Sequence, residues 1–166
     1  AFIDRFLVTA EAYHIPTVIV FNKIDLHTTD ELEELNYLKE VYSKIGYECL
    51  ETSAIEGTNL DQLKAVLKDK VSVISGHSGV GKSTLLNTIE KTLDLKTSEI
   101  SGAHAQGKHT TTFAEMFDLE FGGSIIDTPG IKAFGLIDFD KQDLSHYFLE
   151  MRERLDGCQF NNCVHI

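Results

Sequence analysis

With 166 residues the chain is long enough to bury one core, and length alone favours a single domain. Its 42% hydrophobic and 25% charged residues are ordinary for a soluble globular protein. A net charge of −11 argues against broad nonspecific nucleic-acid binding by this piece alone.

Any RNA contact must therefore come from a local patch or from parts outside this sequence. No apolar run approaches the roughly 20 residues needed to span a bilayer, and no signal peptide is visible. The chain opens on Ala1 and reads as helix at once, so it is expected to be a fragment of a longer protein. Three cysteines cannot build a full disulfide framework, which makes a reducing, cytoplasmic setting the expectation.

In chain order, Ile3, Phe6, Leu7, Ala10 and Tyr13 recur at helical spacing over 2–14, and Pro16 ends that helix. Residues 17–21 form a β-branched run short enough to be a buried strand. Leu32, Leu35, Leu38, Val41 and Ile45 then mark an amphipathic helix over 31–45 with a solvated acidic outer face. A short strand is expected at 47–51, with Cys49 in the core, and then a helix at about 58–68 that Thr58 and Asp61 would open as a capping box. A buried strand at 71–75 and a helix at 82–91 follow. Residues 94–112 are polar and rich in Thr, Ser, Gly and His, which predicts a loop. Residues 113–121 alternate as a strand, Gly122-Gly123 makes a two-residue hairpin turn, and 124–127 is the returning strand. A last helix is expected over roughly 141–155. Strands alternating with helices indicate an α/β three-layer sandwich.

Gly76-His77-Ser78-Gly79-Val80-Gly81-Lys82-Ser83 fits the phosphate-binding pattern G-x-x-x-x-G-K-[ST], with a strand leading in and a helix leading out. Glycines let several N–H groups point at one anion, and the helix adds its positive end. Lys82 would neutralise the β- and γ-phosphates, Ser83 would ligate Mg²⁺, and Thr84 extends the set. Asp127-Thr128-Pro129-Gly130 closes the hairpin strand, where Asp127 can hold Mg²⁺ through a water and the Gly130 N–H can meet a γ-phosphate.

Asn22-Lys23-Ile24-Asp25 closes the first strand. The Asp25 carboxylate can accept from N1–H and the N2 amine of guanine. Adenine offers an acceptor and no amine there, which would leave the carboxylate unpaired. Lys23 can lay its stem over the base and Asn22 can brace neighbouring loops. Thr52-Ser53-Ala54 ends the next strand and would present the Ala54 N–H to guanine O6, with Ser53 beside it. Together these four motifs point to GTP or GDP as the ligand.

Their order is unusual. The base motifs precede the phosphate loop, the reverse of an ordinary GTPase, which implies a circular permutation. All four loops still fall at carboxyl ends of strands, where open α/β sheets bind ligands. Five strands are expected where such a sheet has six, so a central strand is expected from upstream.

The motif order, with G-x-S-G-V-G-K-S, H-T-T-T, D-T-P-G and the run Asp4-Arg5-Phe6-Leu7, resembles the ribosome small-subunit-dependent GTPase A (RsgA) family. That resemblance implies a P-loop NTPase sandwich in permuted order over 1–139 and the start of a C-terminal zinc-binding helical domain over 140–166. It further implies GTP hydrolysis in late maturation of the small ribosomal subunit, with that subunit and its rRNA as partners, no membrane, and a monomer. Ile131 stands where common GTPases carry a water-orienting glutamine, and it can neither donate nor accept. His109 in the loop Gly107 to Thr112 is the candidate in its place, and the resemblance points to the same residue. One threonine of Thr110 to Thr112, with Thr111 favoured, would complete the Mg²⁺ shell. Cys158, Cys163 and His165 have the residue types of a Zn²⁺ site but number three, and the resemblance implies a fourth cysteine beyond Ile166.

Overall fold

The first helix, α1 (Phe2–Ala12), buries the consecutive residues Leu7, Val8, Thr9 and Ala10, so its middle is enclosed on more than the single face that the apolar spacing predicts. This is a computed structural model that describes residues 2–93, 95, 115–127, 140, 143–154 and 157. The described chain forms two compact units. One draws on 1–19, 33–49 and the described part of 133–166; the other on 20–32 and the described part of 50–132.

In the first unit, α1 meets the helix α2 (Thr29–Ile45) through a hydrogen bond from the Tyr42 hydroxyl to Asp4 Oδ1, 2.8 Å long. Burial, reinforced by that carboxylate, pushes the Tyr42 hydroxyl up to about 12. A 3-10 turn, Leu144–Tyr147, and the short helix α5 (Leu149–Arg152) belong to the same unit. Arg152 donates to Glu11 of α1 at 3.3 Å. The single helix expected over 141–155 is therefore broken. Phe148 takes an extended φ of −98° and ψ of 119° between the two turns, in a stretch of Ser, His, Tyr and Phe with low helix propensity.

Five strands are described, and they form two sheets. β1 (Val18–Asn22) pairs with β2 (Glu48–Thr52). In the other sheet β5 (Ser124–Asp127) is central, parallel to β3 (Val71–Ile74) and antiparallel to β4 (Glu115–Asp118). Ile125, level with Ser72 on one side and Phe117 on the other, is wholly buried. The helices α3 (Leu60–Leu67) and α4 (Lys82–Ile89) add Leu63, Leu67, Leu85, Leu86 and Ile89 to the core.

Four local expectations need correcting. β3 is not buried: Val71 and Val73 are 64% and 46% exposed, because β3 pairs on one side only among the described residues. The link from β4 to β5 is not a two-residue turn but runs over 119–123. Leu119 turns into the core, and the Gly122 N–H closes back on its carbonyl at 3.0 Å. Cys49 is half-buried rather than core, and partial burial raises its thiol pKa.

The fourth correction concerns caps. Thr58 does not open α3; Asn59 is its N-cap, with φ of 55° and no side-chain cap bond. Thr58 is engaged instead in a two-way backbone bridge with Ser53. The capping box lies on α2, where Thr28 N–H donates to Glu31 at 2.8 Å and the Thr28 hydroxyl does so at 2.9 Å.

Two outcomes follow from these contacts. Ile125→Ala should destabilise the fold by about 2–5 kcal/mol in denaturant unfolding, since nothing exposed can relax into the space. The Thr28 N–H holds the Glu31 carboxyl below its ordinary value of 4.5. A lowered carboxyl contributes stability above the unfolded value and loses it as pH falls. The melting-temperature gap between the parent and Glu31→Gln should thus be present at neutral pH and close as pH drops below 4.5.

Candidate nucleotide site

The strand β3 ends at Ile74 and the chain curls through 75–81 before α4 begins at Lys82. The curl requires left-handed backbone at Gly79 and Gly81, with φ of 83° and 89°. Lys82, in the first turn of α4, folds its ammonium back over the loop and donates to Gly76 O at 2.8 Å and His77 O at 2.9 Å. Ser83 and Thr84 follow in the same turn, with Ser78 and Val80 exposed on the loop.

The base motif arrives from the other end of the sequence. Asn22 is the last residue of β1, Lys23 is left-handed at φ of 69°, and Asp25 sits in the 3-10 turn Ile24–Leu26. Asn22 Nδ2 donates to Val80 O at 3.0 Å, across 58 residues. Lys23 Nζ donates to Gly79 O at 2.6 Å, across 56 residues. The other end of the Asn22 carboxamide accepts from Thr52 Oγ1 at 3.0 Å, and Thr52 is wholly buried. Contact is close enough that a Cβ on Gly81 would stand 2.7 Å from Asn22 Nδ2 and 3.2 Å from Lys23 Cε. Residues 22–23 and 79–81 are thus in direct contact.

The Thr52-Ser53-Ala54 loop is stiffened from inside. Ser53 is wholly buried, and its hydroxyl accepts the Glu56 N–H at 3.0 Å. Its carbonyl accepts Gly57 and Thr58 N–H groups at 3.0 and 3.1 Å, and Asn59 donates to Glu51 O at 2.8 Å. Ala54 follows in the turn. Asp127 closes β5 level with Ile74, so β5 ends where β3 runs into the phosphate loop.

The expected bracing role of Asn22 is what the geometry contains. The Thr52 hydroxyl as its fixed partner was not anticipated, although the threonine of Thr52-Ser53-Ala54 was the available signal. Gly130, His109, Thr110 to Thr112, Cys158, Cys163 and His165 lie outside the described residues. Among the described residues no three His, Cys, Asp or Glu side chains gather in a way that could hold a metal.

A profile of the RsgA GTPase family matches residues 1–137. The chain belongs to that family. It is 59% identical over 165 residues to a small ribosomal subunit biogenesis GTPase RsgA of Christiangramia forsetii, covering 99% of this chain and 52% of that protein. The protein of the same description from Bacteroides fragilis is 49% identical over 164 residues, covering 99% and 53%. The crystal structure of YjeQ from Thermotoga maritima superposes with a TM-score of 0.80 at 40% identity, over 99% of this chain and 53% of that one. YloQ, described as a circularly permuted GTPase, superposes at 0.74 with 31% identity, over 99% and 50%. The chain thus has the α/β fold of a circularly permuted RsgA GTPase and spans about half the length of the relatives it matches.

The clasp makes a local prediction. Thr52→Val keeps the shape and removes the donor, so Asn22 loses its anchor. Amide exchange at Val80 to Lys82 should accelerate roughly two- to tenfold, the worth of one net hydrogen bond. Unchanged exchange there would mean that Asn22 holds the loop unaided.

Proposed function

We propose that the protein binds GTP and hydrolyses it to GDP and phosphate during late maturation of the small ribosomal subunit. The single observation that carries this reading is the pair of bonds from Asn22 and Lys23 to the carbonyls of Val80 and Gly79. They hold residues 22–23 against residues 79–80, which supports a single site that reads guanine at one end and binds phosphates at the other.

In this reading the N–H groups of Gly76 to Ser83, with Ser78, Gly79, Val80, Gly81 and Thr84, surround the phosphates, and Lys82 offsets their charge. Asp25 accepts from guanine N1–H and N2, Lys23 covers one face of the base, Asn22 fixes the loops, and Ser53 and Ala54 close over O6. Mg²⁺, when bound, neutralises charge that develops between the β- and γ-phosphates. The donor chemistry fits it: Ser83, in the first turn of α4, would supply a hydroxyl, and Asp127, whose backbone is level with the end of β3, would supply a carboxylate. Thr111 completes the oxygen set, and Gly130 offers its N–H to the γ-phosphate. His109 orients the attacking water, since Ile131 cannot.

Residues 1–139 make up the GTPase domain, with one central strand supplied from upstream. Residues 140–166 begin a zinc-binding domain, with Cys158, Cys163 and His165 as three of four ligands. No helix among the described residues is long and apolar enough to cross a membrane. In this reading the protein is cytoplasmic, acts as a monomer and has the small subunit and its rRNA as partners.

Asp25→Asn tests the base reading. An amide at that position can donate to the C2 carbonyl of xanthine, so GTP affinity should fall on the order of 100-fold while xanthosine triphosphate gains. Equal binding of ATP and GTP by the parent would refute the assignment. For His109→Ala, subunit-stimulated single-turnover hydrolysis should drop by roughly 100-fold with GTP affinity unchanged.

A further inference from the structure

The helix that starts at the phosphate loop ends on a carboxylate. Glu90 caps α4, its own N–H still bonded to Leu86 O at 2.9 Å, and the residue is 4% exposed. A buried negative charge beside the last carbonyls of a helix meets the negative end of the helix dipole, so it persists only where donors compensate it. They are present. Oε1 accepts from the Thr92 hydroxyl at 2.8 Å and from Thr92 N–H at 3.4 Å. Oε2 accepts from the Glu120 N–H at 2.8 Å, across 30 residues. The Glu120 N–H first, then Thr92, hold the carboxyl below its ordinary range.

Glu120 lies in the turn that joins β4 to β5, and that turn is fixed from other sides too. A Cβ on Gly123 would stand 2.6 Å from Lys70 O and 2.7 Å from Leu67 O. Ser124 N–H donates to Lys70 O at 2.8 Å, and the Lys64 ammonium lies 5.8 Å from the Phe121 ring centroid. Three residues before Glu90 on α4, the Asn87 side chain holds both backbone groups of Leu95 at 2.8 and 2.9 Å. The end of α4 thus grips the chain on both sides of the segment 96–118.

We propose that Glu90 is a positioning residue for the nucleotide reaction: through the Glu120 N–H it pins the β4–β5 hairpin, and with it the register that sets Asp127 beside the phosphate loop. A two-residue slip of β5 along β3 keeps the same face inward and costs no side-chain inversion. It would bring Ile125 level with Ile74 and carry the backbone of Asp127 along by roughly 6.6 Å. Glu90 opposes that slip. The proposal rests on the reading of Asp127 as a residue on the Mg²⁺ side.

The test is GDP affinity of the full-length protein, with Mg²⁺ and with EDTA, in the parent, Glu90→Leu, Glu90→Asp, Glu90→Gln and Asp127→Asn. Glu90→Leu removes both acceptors, and Glu90→Asp keeps the charge but draws back from Glu120. Both should lose about tenfold or more of the Mg²⁺ enhancement, with affinity in EDTA within about twofold of the parent. Glu90→Gln should retain the enhancement, because its amide oxygen can take the Glu120 N–H while its NH₂ donates to the Thr92 hydroxyl. Should Glu90→Leu fail to fold, Glu90→Asp against Glu90→Gln decides. Equal losses with and without Mg²⁺ would make Glu90 purely structural and overturn the proposal. So would an undiminished enhancement in both Glu90→Leu and Glu90→Asp, provided that Asp127→Asn loses it. An enhancement intact in Asp127→Asn would bring down the reading of Asp127, and this proposal with it.

Discussion

One carboxamide sets how residues 22–25, 52 and 76–83 meet. Asn22 spends its two ends on two different loops, donating to Val80 O and accepting from Thr52 Oγ1. Val80 O can only accept, so Nδ2 must face it; the Thr52 hydroxyl, able to donate or accept, then donates to Oδ1, and the amide has one orientation. Three segments far apart in sequence are thereby set to within a hydrogen-bond length of each other. Lys23, left-handed and reaching Gly79 O, adds a second link at the cost of an uncommon backbone conformation. A non-glycine residue held in that region at a functional loop is strain offset by the surrounding structure.

The same clasp explains why the permuted order of motifs is tolerated. Base motif, phosphate loop and Asp127 each close a strand, and nothing in the hydrogen bonds depends on which strand the chain visits first. Gly81 shows how little space separates the two halves, because even a methyl group there would collide with Asn22.

That residues 22–25 and 76–83 lie together was legible in the sequence, because the motifs are specific in combination and the hydrogen bonds join those two segments. Most of the element order was legible as well, since α1 and α2 have clear apolar periods. Competing local signals decided the errors. Thr28-x-x-Glu31 and Thr58-x-x-Asp61 both look like capping boxes, but only the first is one, because Thr58 is taken up by its bridge to Ser53. Gly122-Gly123 looks like a two-residue hairpin turn until Leu119 is seen to be core, which lengthens the link by three residues. The valines of β3 read as a buried strand, and they are exposed because β3 pairs on one side only among the described residues, which no property of Val71 or Val73 could announce. Glu90 gave no signal at all: a glutamate at a helix end is ordinary, and only its partner across 30 residues makes it otherwise.

The bonds from β1 to the phosphate loop close loops of 56 and 58 residues, among the longer-range links in the molecule. Closing such a loop carries an entropy cost before any contact repays it, so these links form after local helices and hairpins. On the ribosome that made it, the chain would expose residues 22–25 well before residues 76–83 had left the tunnel. On the proposed reading, affinity for nucleotide is a property that the nascent chain acquires at the end of folding. A cellular pool of guanine nucleotide would act on it as a mass-action brace that favours the finished form over every partly folded one.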